Sequence, residues 1–366
     1  MSRRRWILAA LLFCACDGGA GSDAGTGPGD AASGTDASAR DAGTTDAGPA
    51  RPFEGPEGAW EYAPIEGARC ANGSTLPVLV NRAPGGAGGE PILVYLQGGG
   101  ACWDAATCFV VRSATHVDDT FDEAALRAQT PGFTRDAGPW ANATWVYVPY
   151  CTGDLHAGQR VATYDTVTGP REVHHVGGHN VELLLARLFA TVPSPARVTV
   201  AGVSAGAYGA TLNHWRVRAR WPGARVDVLA DSGLFVDVVA ERWAAMTASW
   251  DLGFPPGCGD CIDGLSRVLP HYGRTVGAPH RYALLAFDDD AVIRTFFGLA
   301  PGQVRSAFAP VRAAMSATDT QRSFVLAGEE HVLIGDLTRM TSEGTVLGEW
   351  LVAFATDDPS WDDAGP

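Results

Sequence analysis

The chain contains no lysine; all 27 of its basic residues are arginines. This excludes a lysine Schiff base, a pyridoxal-phosphate lysine, a P-loop lysine and a serine–lysine dyad. A nucleophilic serine in this chain must take a histidine or a carboxylate as its base, and nine histidines are present. Positive charge is scarce overall. The formal net charge of −14 argues against nucleic acid and against acidic lipid surfaces as partners. Long apolar runs are lacking too. The run from Trp6 to Phe13 is too short to cross a bilayer as a permanent helix.

That run has a different use. With Arg3, Arg4 and Arg5 before it, residues 1–16 read as an export signal. Ala15-Cys16 at its end resembles a lipoprotein cleavage site, with Cys16 as the lipidated residue. The expected location is the cell envelope or the outside, with membrane contact only through that anchor. Residues 17–50 hold six aspartates and one arginine among Gly, Ala, Thr, Ser and Pro, with no large apolar side chain. Such a stretch has nothing to bury against the entropy of ordering, so a disordered tether is expected. A catalytic domain over residues 51–366 follows.

Six cysteines lie in that domain: Cys70, Cys102, Cys108, Cys151, Cys258 and Cys261. An even number behind an export signal reads as disulfides. Cys258-Gly-Asp-Cys261 is a lone C-x-x-C without a second pair at zinc spacing, so a local disulfide is the better reading. His174, His175 and His179 do not make a metal site either. Gly177 and Gly178 interrupt the helical spacing of the last two, and no carboxylate or cysteine completes the set. No metal and no cofactor is expected.

Apolar strand-like runs alternate with helical patterns along the domain. Strands are expected at Ile92–Gln97, Thr144–Val148, Arg197–Gly202, Arg225–Ala230, Tyr282–Phe287 and Ser323–Ala327. Helices are expected at Gly178–Ala190, Ala210–Arg220, Gln303–Met315 and Gly344–Ala355. The alternation implies an α/β fold: a mostly parallel central sheet with helices on both faces, as in α/β-hydrolases. Sites in such sheets form at the carboxyl ends of strands.

At one such end stands Gly202-Val203-Ser204-Ala205-Gly206, a G-x-S-x-G between a strand and a helix. That context turns the motif into a nucleophile elbow, with Ser204 exposed on a sharp turn. Gly98-Gly99-Gly100 follows another strand, Asp288 a later one and His331 the last. The order Ser, Asp, His is that of α/β-hydrolase triads. Ser204 would attack a carbonyl, His331 would move its proton and Asp288 would orient the imidazole. The N–H groups of Gly99, Gly100 and Ala205 would bind the oxyanion. Asp289, Asp290 and Asp231 compete with Asp288, and the plainer reading of His331, as of His271 and His280, is a surface-loop histidine. Tyr150, Asp154 and His156 lie past a strand end, where substrate-contacting residues are expected.

At these residues the chain resembles the pectin acetylesterase and Notum carboxylesterase family. The likeness runs through Cys70-Ala-Asn-Gly-Ser74, Leu96-Gln-Gly-Gly-Gly-Ala-Cys102, the elbow, Ala230-Asp-Ser-Gly-Leu-Phe-Val-Asp237, Phe287-Asp288 and Trp350. Gln97 departs from it, standing where the family has an acidic residue. The resemblance implies the pairings Cys70–Cys151, Cys102–Cys108 and Cys258–Cys261. It also implies deacetylation of a polysaccharide ester or removal of another acyl group, and the reading adopted is a cofactor-free serine esterase acting through an acyl-enzyme, taken as a monomer. Tryptophans such as Trp103, Trp140, Trp145, Trp215, Trp243 and Trp250 suit sugar stacking and core packing alike. The rival from another class is a hydrolase scaffold without catalysis, serving as an extracellular carbohydrate- or protein-binding module.

Overall fold

The computed structural model describes residues 50–86, 89–129 and 139–366. The expected export signal with Cys16, and the tether up to residue 49, lie outside the described residues. In chain order the elements are β1 (Trp60–Arg69), β2 (Thr75–Asn81), β3 (Ile92–Leu96), α1 (Glu123–Ala128), β4 (Thr144–Val148), β5 (Arg160–Thr166), β6 (Gly169–His175), α2 (Gly177–Thr191), β7 (Arg197–Val203), α3 (Ala205–Arg220), β8 (Arg225–Asp231), α4 (Ala240–Trp250), α5 (Val268–Thr275), β9 (Tyr282–Phe287), α6 (Ala291–Phe297), α7 (Gln303–Ser316), β10 (Gln321–Leu326) and α8 (Leu347–Ala355). Eight strands form one sheet in the order β1-β2-β4-β3-β7-β8-β9-β10, and β5 and β6 form a separate hairpin. The pairs from β4 through β10 are parallel; β1–β2 and β2–β4 are antiparallel.

The parallel strands read as continuous apolar runs because they are buried throughout. Ile92–Leu96, Thr144–Val148 and Tyr282–Phe287 have no exposed position, as expected of strands covered on both sides. Helices pack around the sheet, and α3 touches β3, β7 and β8. The six strands expected from the sequence are all present, within about two residues of their expected ends. The antiparallel edge was not expected. β1 is half-exposed, carries Pro64 and has a register shift between Pro64 and Arg69, all of which weaken a strand signal.

Register brings the site together. Leu96 at the end of β3 lies opposite Gly202 on β7, so the glycines after Leu96 run beside the elbow. Val203 lies opposite Asp231 at the end of β8. Three disulfides, Cys70–Cys151, Cys102–Cys108 and Cys258–Cys261, tie the loops; they are the pairings the family resemblance implies.

Candidate active site

Ser204 occupies the turn between β7 and α3 with φ 55° and ψ −122°, a left-handed conformation that costs a non-glycine residue about 1–3 kcal/mol. The flanking glycines make the turn possible. A Cβ on Gly202 would lie 2.1 Å from the Gly206 carbonyl oxygen, and one on Gly206 would lie 2.0 Å from that of Leu96. Backbone cannot yield to such contacts, so neither position tolerates a side chain. The Ser204 N–H donates to the Asp231 carbonyl at 2.8 Å, which ties the elbow to β8.

The loop after β3 approaches from the other side. Gly99 and Gly100 have φ +156° and +74°, and a Cβ on Gly100 would meet the Ser113 carbonyl oxygen at 2.0 Å. Among the described residues, no acceptor takes the N–H groups of Gly99, Gly100 or Ala205. Ala205 opens a helix, where free N–H groups favour negative charge. These three N–H groups lie at the ends of β3 and β7.

His331 is half-buried, and its Nδ1 lies 2.6 Å from Asp290 Oδ2. A carboxylate at that nitrogen holds the imidazole with Nδ1 protonated and Nε2 free as an acceptor. The loop carrying His331 is fastened to β8. Val332 N donates to Ser232 Oγ at 2.8 Å, and Leu333 N and Ile334 N donate to Asp231 Oδ2 at 3.0 and 2.8 Å. Asp231 and Ser232 therefore hold the histidine loop on one side and the elbow on the other. Burial raises the Asp231 carboxyl above its usual range, while the N–H bonds from Ile334 and Leu333 and the nearby His331 oppose the shift.

The carboxylate that reaches His331 is Asp290, not Asp288. Asp288 accepts Arg305 Nε at 2.6 Å, Arg305 Nη2 at 3.1 Å and Gly328 N at 3.0 Å. Burial would raise its pKa, but these bonds and the Arg305 charge outweigh it and hold the carboxyl low. Asp289 faces Gly302 N and Arg294. Asp290 caps α6 through Oδ1, which accepts Val292 N and Ile293 N at 2.9 and 3.0 Å, leaving Oδ2 for His331. The three aspartates leave the sheet in three directions, each set by a partner remote in sequence.

Tyr150, Asp154 and His156 do not line the cleft. They are 0%, 0% and 3% exposed and lie behind the glycine loop that follows β3. Tyr150 OH accepts Leu155 N at 2.9 Å. Asp154 accepts Thr152 Oγ1 at 2.6 Å and Gly177 N at 2.7 Å, and burial, against those bonds, pushes its carboxyl up to about 6. Burial lowers His156 to about 4. His175 is also internal, with Nδ1 on the Thr152 carbonyl and Nε2 on Tyr164 OH. The groups of metal-ligating type among the described residues each contain a disulfide, whose sulfurs are no longer thiolates.

Ser204 opens onto an apolar cleft of about 400 Å³ including its mouth. Its walls are Trp243, Met246 and Trp250 from α4 and Ile293, Phe296 and Phe297 from α6. The α4 residues follow a three-and-four spacing, a stripe readable in the sequence but not assigned there to a site. Trp243 Nε1 donates to the Ile262 carbonyl at 2.7 Å, and Trp250 Nε1 to that of Cys102 at 2.8 Å. Each indole is thereby fixed against a disulfide loop.

A family model described as Pectinacetylesterase matches residues 61–250. That span takes in the glycine loop, the elbow, Asp231 and the α4 wall. A search of curated proteins finds no match.

Proposed function

The chain belongs to the pectinacetylesterase family, and from that premise we propose that it hydrolyses carboxylic esters through an acyl-enzyme on Ser204, with His331 as base and Asp290 as the acid partner. The family itself implies ester hydrolysis; the assignment of roles is the proposal. In the first step His331 Nε2 takes the Ser204 proton as Oγ adds to the ester carbonyl. The oxyanion turns to the N–H groups of Gly99, Gly100 and Ala205. The imidazolium protonates the departing alcohol, leaving an acyl-serine. Water, deprotonated by the same imidazole, then releases the carboxylic acid. Asp290 fixes the tautomer and stabilises the imidazolium.

The observation that carries this reading is the Asp290–His331 contact of 2.6 Å, on a loop bonded to the residue pair that also holds the strained elbow. The cleft walls of Trp, Met and Phe suit the acyl group rather than sugar hydroxyls. We read the substrate as an acetylated polysaccharide or a similar short-acyl ester, with the alcohol portion outside the cleft. The three disulfides suit an oxidising compartment, in keeping with export and an anchor at Cys16.

The test is labelling by a fluorophosphonate probe together with hydrolysis of p-nitrophenyl acetate, a long-chain ester and a peptide amide. Labelling lost in Ser204→Ala, with the acetyl ester cleaved fastest, is the expected result. No labelling of the wild type would favour the non-catalytic binding scaffold. Faster cleavage of the long-chain ester or the amide would move the reading to a lipase or a peptidase.

A further inference from the structure

His156 is a buried ring that the mechanism above does not touch, and it lies against the oxyanion loop. Its Nε2 is 2.9 Å from the Gln97 carbonyl oxygen. A carbonyl only accepts, so Nε2 carries the proton. The Gln97 carbonyl and the Gly98 N–H belong to one planar peptide unit. Fixing one end of that unit fixes how the chain turns into Gly99 and Gly100. The same unit meets the elbow, since a Cβ on Gly98 would lie 2.5 Å from the Val203 carbonyl oxygen and 3.1 Å from Ser204 Cβ.

His156 is itself held on several sides. Leu155 and His156 both have positive φ, 59° and 54°, a left-handed pair that persists only where its surroundings enforce it. Asn213 Nδ2 of α3 donates to the His156 carbonyl at 2.8 Å. Gly209 of the same helix leaves no room, for a Cβ there would come 2.8 Å from His156 Cβ. The imidazole packs on Tyr150 with ring centres 4.7 Å apart, and Tyr150 Cδ1 would lie 2.9 Å from a Cβ on Gly99. Tyr150 N donates to Gln97 Oε1 at 3.0 Å. A strained turn, a helix and an aromatic ring thus converge on one peptide unit.

We propose that His156 is a positioning residue for ester hydrolysis: its Nε2–H, by holding the Gln97–Gly98 peptide, aims the oxyanion-binding N–H groups of Gly99 and Gly100 at the Ser204 site. The inference rests on the esterase reading above. It requires the imidazole as a directed donor, beyond its place in the packing.

The test compares His156→Phe, which keeps a ring without a donor, with His156→Gln, whose amide nitrogen replaces Nε2. Steady-state kinetics on the acetyl ester are read with the affinity for an aryl trifluoromethyl ketone, which forms a tetrahedral oxyanion on the serine. For H156F the expected result is a kcat lower by about 10–100-fold, below the full loss of an oxyanion donor. KM should change little, ketone affinity should fall by a similar factor, and H156Q should recover most of both. Unchanged kcat in H156F, or a change in KM alone with ketone affinity intact, would overturn the proposal. If H156F does not fold, H156Q against H156N decides, because the asparagine amide stops short of Gln97; equal kcat in the two would overturn it. A wild type that neither labels nor cleaves esters would remove the esterase reading and this inference with it. An active wild type with an indifferent H156F removes this inference alone.

Discussion

Strand β8 carries two buried aspartates, Asp227 at its amino end and Asp231 at its carboxyl end, 0% and 1% exposed. They are four residues apart and so point to one face of the sheet, yet they are satisfied by different chemistry. Asp227 pairs with two arginine side chains, Arg225 Nε at 2.8 Å and Arg197 in close contact, and also accepts the backbone N–H of Arg281 at 2.6 Å. Arg197 also donates to the Ala355 carbonyl, and Arg225 also pairs with Asp357, so this end latches β7, β8 and β9 to the end of α8. Among the described residues, Asp231 meets no arginine and accepts neutral donors only, Leu333 N, Ile334 N and Ser232 Oγ. Ion pairs close the amino end. At the other end Asp231 fixes the loop that carries His331 by N–H bonds.

The sharpest way to break this contrast is at the proposed triad. Asp290→Asn should keep the fold but hold His331 in the wrong tautomer, lowering kcat by about 10,000-fold, the size such a change has in serine proteases. Asp288→Asn should cost activity less than about tenfold, because its partner is the exposed Arg305. Asp227→Asn should leave kcat of the folded protein unchanged. Rates normalised to active-site titration check all three. A larger loss for D288N than for D290N would reverse the assignment.

The next effect is on stability. Asp227→Ala leaves Arg197 and Arg225, 15% and 12% exposed, without their buried counter-charge, a loss of about 3–5 kcal/mol. Asp231→Ala leaves two buried N–H groups unmet, about 1–3 kcal/mol each, and releases the His331 loop. Both should unfold at lower denaturant, but only D231A should also lower kcat in the folded state. Equal activity losses in the two variants would show that the two ends are not separable.

This division also marks how far the sequence could be read. The elbow was legible because its determinants are local: a strand, two glycines that exclude a Cβ, and a helix start. The parallel strands were legible from apolar runs. The aspartate that meets His331 was not, because Asp288, Asp289 and Asp290 share one local context and differ only in partners that the fold supplies, namely Arg305, Gly302 with Arg294, and His331 with the α6 N-terminus. Tyr150, Asp154 and His156 were located correctly past β4, but their exposure depended on α2, α3 and the glycine loop closing over them. Which side of a loop faces the cleft is a tertiary fact.

The smallest effect concerns acid. Near the site, burial holds Asp154 at about 6 and both His156 and His175 at about 4. A carboxyl raised from 3.8 favours the fold at low pH and loses that contribution as pH rises from about 4 to about 6. An imidazole lowered from 6.5 contributes above pH 6.5 and loses it as pH falls towards 4. The Asp154 term opposes the two imidazole terms and offsets part of their loss as pH falls. Among the described residues, no carboxylate opposes the shift of His214, beside the amino end of β8. Its Nε2 meets the Val226 carbonyl at 3.3 Å, and the groups facing it are Tyr272, His280 and Arg218. Burial lowers it to about 3, with the Arg218 and His280 charges adding to the shift and the Val226 bond opposing it. Stability should therefore fall between pH 6.5 and 4, and His214→Phe should remove part of that fall, on the order of 3 kcal/mol at pH 4 relative to pH 7. Asp154→Asn should steepen the fall, because the opposing carboxyl is gone. Denaturant unfolding at pH 7, 5.5 and 4 measures each slope, and parallel curves for wild type and H214F would mean that the amino end carries no acid-sensitive term of its own.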